Sequence, residues 1–104
     1  MTEPAYVRAV RDLYFQMPHA SGRFSRSDRQ LAKDLYHRGI PISIIRCALL
    51  LATARRISGR NPANLPLPPV RSLNYFLPVI DEVLLQPLPH GYLQYLESKI
   101  ATRQ

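Results

Sequence analysis

Between Ile40 and Ile57 the chain reads IPISIIRCALLLATARRI, and nowhere else do so many apolar residues sit together with so few turn formers. Ile44, Ile45, Ala48, Leu49 and Ala52 recur at the spacing of one helical face, while Cys47, Leu50, Leu51 and Ala54 make much of the opposite face apolar as well. A helix that is apolar nearly all round has to be wrapped by its neighbours. The spacing therefore predicts a buried central helix over 40–57 and an all-α protein arranged around it.

The flanking segments supply the wrapping. Residues 4–16 are expected to form a first helix, with Thr2 as N-cap, Pro4 in the first turn and Tyr6, Val10, Leu13, Tyr14 and Met17 as its apolar stripe. Arg8 and Arg11 fall off that stripe, and Asp12 follows Arg8 at i+4, so part of this charge is read as locally balanced. After the turn at Pro18, Ser21 and Gly22, the sequence Ser25-Arg26-Ser27-Asp28 has the form of a capping box opening a second helix to about Arg38. Leu31, Ala32, Leu35 and Tyr36 should face inward on that helix, and Gly39 is the natural left-handed stop before the central helix.

Past Ile57 the chain changes character, because residues 58–72 contain Gly59, Pro62, Pro66, Pro68 and Pro69. This reads as an ordered, proline-rich strap pinned by Leu65, Leu67 and Val70. A fourth helix over 73–86 is expected to be capped by Ser72 and kinked at Pro78, with Leu73, Phe76, Leu77, Ile80, Val83 and Leu84 inside. Pro87, Pro89 and Gly91 end it, and a fifth helix over about 92–101 offers Tyr92, Leu93, Leu96 and Ile100. The expected architecture is all-α: one compact five-helix domain spanning 1–104.

Several function classes are not expected. The N-terminal MTEPAYVRAVRD lacks the basic start and apolar run of a signal peptide, and no uncharged apolar run approaches membrane-spanning length. The lone cysteine, Cys47, sits in the apolar helix and forms no CxxC pair. A soluble, cytoplasmic protein without a membrane partner is the expectation. His19, His37 and His90 show no ligand spacing with one another or with carboxylates, and adjacent Asp81 and Glu82 point different ways from a helix. The four glycines are each isolated, so there is no phosphate-cradling loop. Neither an enzyme nor a metal or cofactor site is anticipated.

Charge is the positive signal. The net charge is +7, and from Arg8 to Arg71 eleven arginines and Lys33 stand against only Asp12, Asp28 and Asp34, a local excess of +9. Such a segment suits phosphate, which lysine and arginine contact without reading sequence. Arg55, Arg56, Arg60 and Arg71 gather near the end of the central helix, where the helix dipole alone already favours cations. That account and a phosphate-contacting patch, joined by Arg23, Arg26, Arg29, Lys33 and Arg46, stand side by side. Residues 31–50 also invite comparison with a DNA-binding helix-turn-helix. The base-facing positions would then be Ile42, Ser43, Arg46, Cys47 and Leu50, of which only Ser43 and Arg46 can read a base, so groove reading by this helix is not expected. Tyr75 is a candidate for stacking on bases. Tyr92 and Tyr95, with Leu65 and Leu67 of the strap, are candidates for contact with a protein partner or a second copy.

From Phe24 to Leu84 the order FSRSD, a helix, RGIPxxIIxxAL, an arginine-rich helix end and SxxYxxxVxxxV resembles the DnaD-like helical domain of replication-initiation and primosome-loading proteins. That resemblance implies a nucleic-acid or replisome partner, DNA ahead of RNA. It also implies a single-strand-binding motif, YxxxIxxxW, at Tyr75, Val79 and Val83, with valine where the family carries tryptophan. The expected function is thus a small basic nucleic-acid-binding accessory protein of replication or of a mobile element. The alternative is an assembly subunit using the strap and the C-terminal helices.

Overall fold

The computed structural model describes residues 1–18, 20, 22–58, 70–89 and 91–103. Over these the chain is all-α, with five helices: α1 (Glu3–Gln16), α2 (Arg26–His37), α3 (Ile42–Ser58), α4 (Leu77–Leu85) and α5 (Tyr92–Arg103), plus a 3-10 turn at Leu73–Phe76. The central helix is where the sequence puts it. α3 packs against α1, α4, α5 and the 3-10 turn, and Ile45, Ala48, Leu49, Leu50, Leu51, Ala52 and Ala54 are all buried. Ile42, Ile44 and Cys47 are half-buried against the core instead of fully enclosed, because the wrapping is closest over the later turns of α3.

α1 and α2 form an antiparallel pair. Tyr6 meets Tyr36 edge-on with ring centroids 5.3 Å apart, and Phe15 meets Phe24 at 6.2 Å, so the start of α1 lies against the end of α2. The Tyr6 hydroxyl donates to the Ile40 carbonyl at 2.7 Å, and burial raises its pKa. Thr2 caps α1 by accepting from the Ala5 amide. α2 ends in a Schellman motif: Gly39, at φ 74°, donates to Tyr36 and Ile40 donates to Leu35, which turns the chain towards α3.

Two expectations for the fourth helix change. Pro78 does not kink a continuous helix. The chain winds first as the 3-10 turn, capped by the Ser72 hydroxyl accepting from Asn74 at 3.1 Å, and α4 then starts afresh at Leu77 with Pro78 in its first turn. There its missing N–H leaves no hydrogen bond broken. The tighter winding shifts the helical phase. Leu73, Phe76, Ile80 and Val83 therefore share the buried side, whereas Leu84 turns outward. Of the strap, Val70 is buried, accepts from the Tyr14 hydroxyl at 3.3 Å and bridges Ala20, while Leu65 and Leu67 lie outside the described residues.

One carboxylate joins the halves of the chain. Asp28 closes the anticipated capping box with Ser25, its Oδ2 accepting from the Ser25 amide at 2.8 Å and hydroxyl at 3.0 Å. Its Oδ1 accepts from the Leu73 amide at 2.9 Å and the Ser72 hydroxyl at 3.2 Å, which ties the start of α2 to the 3-10 turn. Asp28 is buried, at 2% exposure, and so is its bond from the Leu73 amide, which loses its acceptor if the carboxylate is removed. Asp28→Ala should lower the unfolding free energy by about 3 kcal/mol, the sum of a lost cap and a stranded buried N–H. Urea denaturation measures this, and a loss below about 1 kcal/mol would contradict the double-cap assignment.

Candidate nucleic-acid interface

The ion pairs decide which cations remain available. All three acids of residues 72–104 fold back onto arginines of the basic segment: Asp81 onto Arg38 at 3.0 Å, Glu82 onto Arg55, and Glu97 onto Arg46. Arg55 grips Glu82 with both ends of its guanidinium, at 2.5 and 2.7 Å. That hydrogen bond holds the Glu82 carboxyl below its ordinary value and pushes Arg55 higher still. Arg46 and Arg55, both expected to contact phosphate, are therefore engaged by carboxylates inside the molecule. A phosphate would have to displace a partner already in place.

The other anticipated residues divide by position. Arg56 lies over the Tyr75 ring, 5.9 Å from its centroid, in a cation–π contact. Tyr75 is 45% exposed, but Val83 of the same motif is buried in the core, so the three positions do not form one open face. Arg71 is exposed beside the Ser72 cap, Arg23 is exposed before α2, and Arg60 lies outside the described residues. Tyr92 and Tyr95 pair at 5.5 Å on α5, with Tyr95 the more exposed.

Arg29 and Lys33, by contrast, meet Arg8 and Arg11, whose charge the sequence spacing assigns in part to local balance by Asp12. A groove of about 420 Å³ between α1 and α2 is lined by Glu3, Pro4, Val7, Arg8, Arg11, Arg29 and Lys33. Four cations thus face one carboxylate. Arg8 and Arg11 come from α1, Arg29 and Lys33 from the antiparallel α2, and Pro4 and Val7 supply apolar lining. Arg8, Arg29 and Lys33, together with Arg26 one turn before Arg29, are exposed and make no ion pair among the described residues. Arg8 does not pair with Asp12 as the i+4 spacing suggested. Arg11 does so instead, at 3.5 Å, and its Nε–H is buried without an acceptor. Glu3 lies 3.6 Å from His37 at the far end.

The signal for Arg8 and Arg11 was present in the sequence. Pro4, Arg8, Arg11 and Phe15 fall on one helical face, as do Arg26, Arg29 and Lys33, and a short connection makes the two helices antiparallel neighbours.

No family model, curated protein or solved structure matches the chain. Among the described residues no group of three potential metal ligands occurs, and no helix is long and apolar enough to cross a membrane. What the groove offers chemically is a row of guanidinium and ammonium donors, suited to an extended polyanion.

The Arg55–Glu82 pair has its own test. Because the folded state lowers the Glu82 pKa, the pair's contribution is present above the ordinary glutamate value of 4.5 and is lost as pH falls through the lowered one. Glu82→Gln should thus be less stable than wild type at neutral pH by a small, salt-sensitive margin. The two proteins should converge in acid, and a gap that persists there would contradict the pairing.

Proposed function

We propose that this protein is a small nucleic-acid-binding accessory protein that docks through the α1–α2 groove onto the sugar-phosphate backbone, without strong reading of base sequence. The observation that carries this is the convergence of Arg8, Arg29 and Lys33 on one groove, with Arg11 beside them in its pair with Asp12, when the acids of the C-terminal third are taken up by other arginines. Exposed helix faces bearing cations on both sides of a groove can follow a polyanion along its length. Bidentate guanidinium contacts add geometry to charge. The groove lining carries no amide side chain to read adenine, and its arginines and lysine, which can contact guanine edges, serve phosphate equally well, so charge and not base choice supplies most of the affinity in this reading.

The DnaD-like order of motifs supports the same class of partner, with DNA ahead of RNA, and a setting in replication or in a mobile element. Under this reading the protein acts by binding and positioning. Its affinity comes from counterion release, so it must fall steeply with salt.

Titration of a labelled oligonucleotide at increasing salt tests the proposal. Arg8→Ala and Lys33→Ala should each weaken binding across sequences and lower the salt slope by about one. Arg38→Ala, which removes a cation paired with Asp81, should leave the slope as it is. Wild-type affinity that is indifferent to salt would overturn the proposal, as would a slope that ignores Arg8 and Lys33.

A further inference from the structure

The row of groove cations runs into an exposed aromatic ring. Phe15 lies on the same face of α1 as Arg8 and Arg11, about 6 Å of helix rise beyond Arg11, and it is 44% exposed. A phenylalanine so placed contributes little to the core, yet it is not loosely held. Its ring packs against Phe24 at 6.2 Å and Tyr14 at 5.9 Å, and Tyr14 in turn meets Phe24 at 5.8 Å and the buried Phe76 at 6.2 Å. The chain of rings leads from the interior to the surface and fixes Phe15 from behind. Arg26, in the first turn of α2 two residues after Phe24, is exposed and without an ion pair among the described residues.

Resting on the phosphate-binding reading of the groove, we propose that its ligand is a single-stranded nucleic acid, and that Phe15 is the platform on which one base of that strand stacks. Phosphates held by Arg8, Arg29 and Lys33 lead the strand along α1, so the base that passes Arg11 arrives over Phe15. A duplex offers such a ring a base face only by unstacking a step, at a cost in free energy, because the faces of its bases are already covered by their neighbours. A single strand offers one without that cost, and stacking tolerates any base because each has a π-face. Phe15 thereby confers strand selectivity where the cations confer only affinity. Its fixed backing means that little side-chain freedom is lost when the base arrives.

Fluorescence anisotropy with three probes tests this: a labelled oligothymidylate, the same strand carrying abasic positions, and a duplex of equal length. Wild type should bind the intact strand about tenfold more tightly than the abasic one. Phe15→Ala should lose about that factor for the intact strand, with the abasic strand and the duplex bound as before, and Phe15→Tyr should retain the wild-type preference. Salt slopes should not change in either variant, which separates stacking from phosphate contact. Equal wild-type affinity for intact and abasic strands would overturn the inference alone, as would a Phe15→Ala loss shared by all three probes. Binding to none of the three by the wild-type protein would overturn the groove reading as well.

Discussion

An apolar helix with no polar side to turn towards water dictates most of this structure. α3 buries side chains around most of its circumference over residues 48–54, and the chain satisfies it by laying α1, α4, α5 and the 3-10 turn along it. Those elements spend their apolar faces inward, so their charges have only the outside to occupy. α2 is positioned differently. It rests chiefly on α1 and on the 3-10 turn, which leaves it a broad exposed face bearing Arg26, Arg29 and Lys33. The basic groove is a consequence of that arrangement, since α1 must serve the core with one side and α2 with another, and the cations of both meet at the remaining edge.

Asp28 holds this geometry together. As a cap it belongs to α2, and as an acceptor for Ser72 and Leu73 it belongs to the second half of the chain. The first role is legible in four consecutive residues, because a capping box is local chemistry. The second is not, because it depends on the return of a segment 45 residues away. The same division separates the other successes and misses. Helix starts and stops at Thr2, Ser25, Gly39, Ser72 and Gly91 could be read directly, since each is fixed by neighbours in sequence. The fresh start of α4 at Leu77 could not, because apolar spacing alone does not distinguish a kinked helix from a 3-10 turn that feeds a new one.

The site shows how local charge counting misleads. Counting charge along the chain leaves Arg46 and Arg55 among the phosphate candidates, but the fold brings Glu97 and Glu82 onto them, and Asp81 onto Arg38. In the opposite direction, the i+4 spacing of Arg8 and Asp12 makes part of the charge on α1 look locally balanced. One carboxylate cannot balance both, and it faces Arg11. Arg29 and Lys33 survive from the sequence reading, and their partners across the groove become visible only when α1 and α2 are seen as an antiparallel pair.

The central claim is that the ligand lies between α1 and α2 and not at the C-terminal end of α3. The most direct measurement is an amide chemical-shift map of the protein titrated with a short single strand at low salt. The account predicts perturbations concentrated at Arg8, Arg11, Phe15, Arg26, Arg29 and Lys33, with the amides of Arg55, Glu82 and Glu97 unmoved. Perturbations centred on Arg55 and Arg56, with α1 and the exposed face of α2 silent, would contradict it.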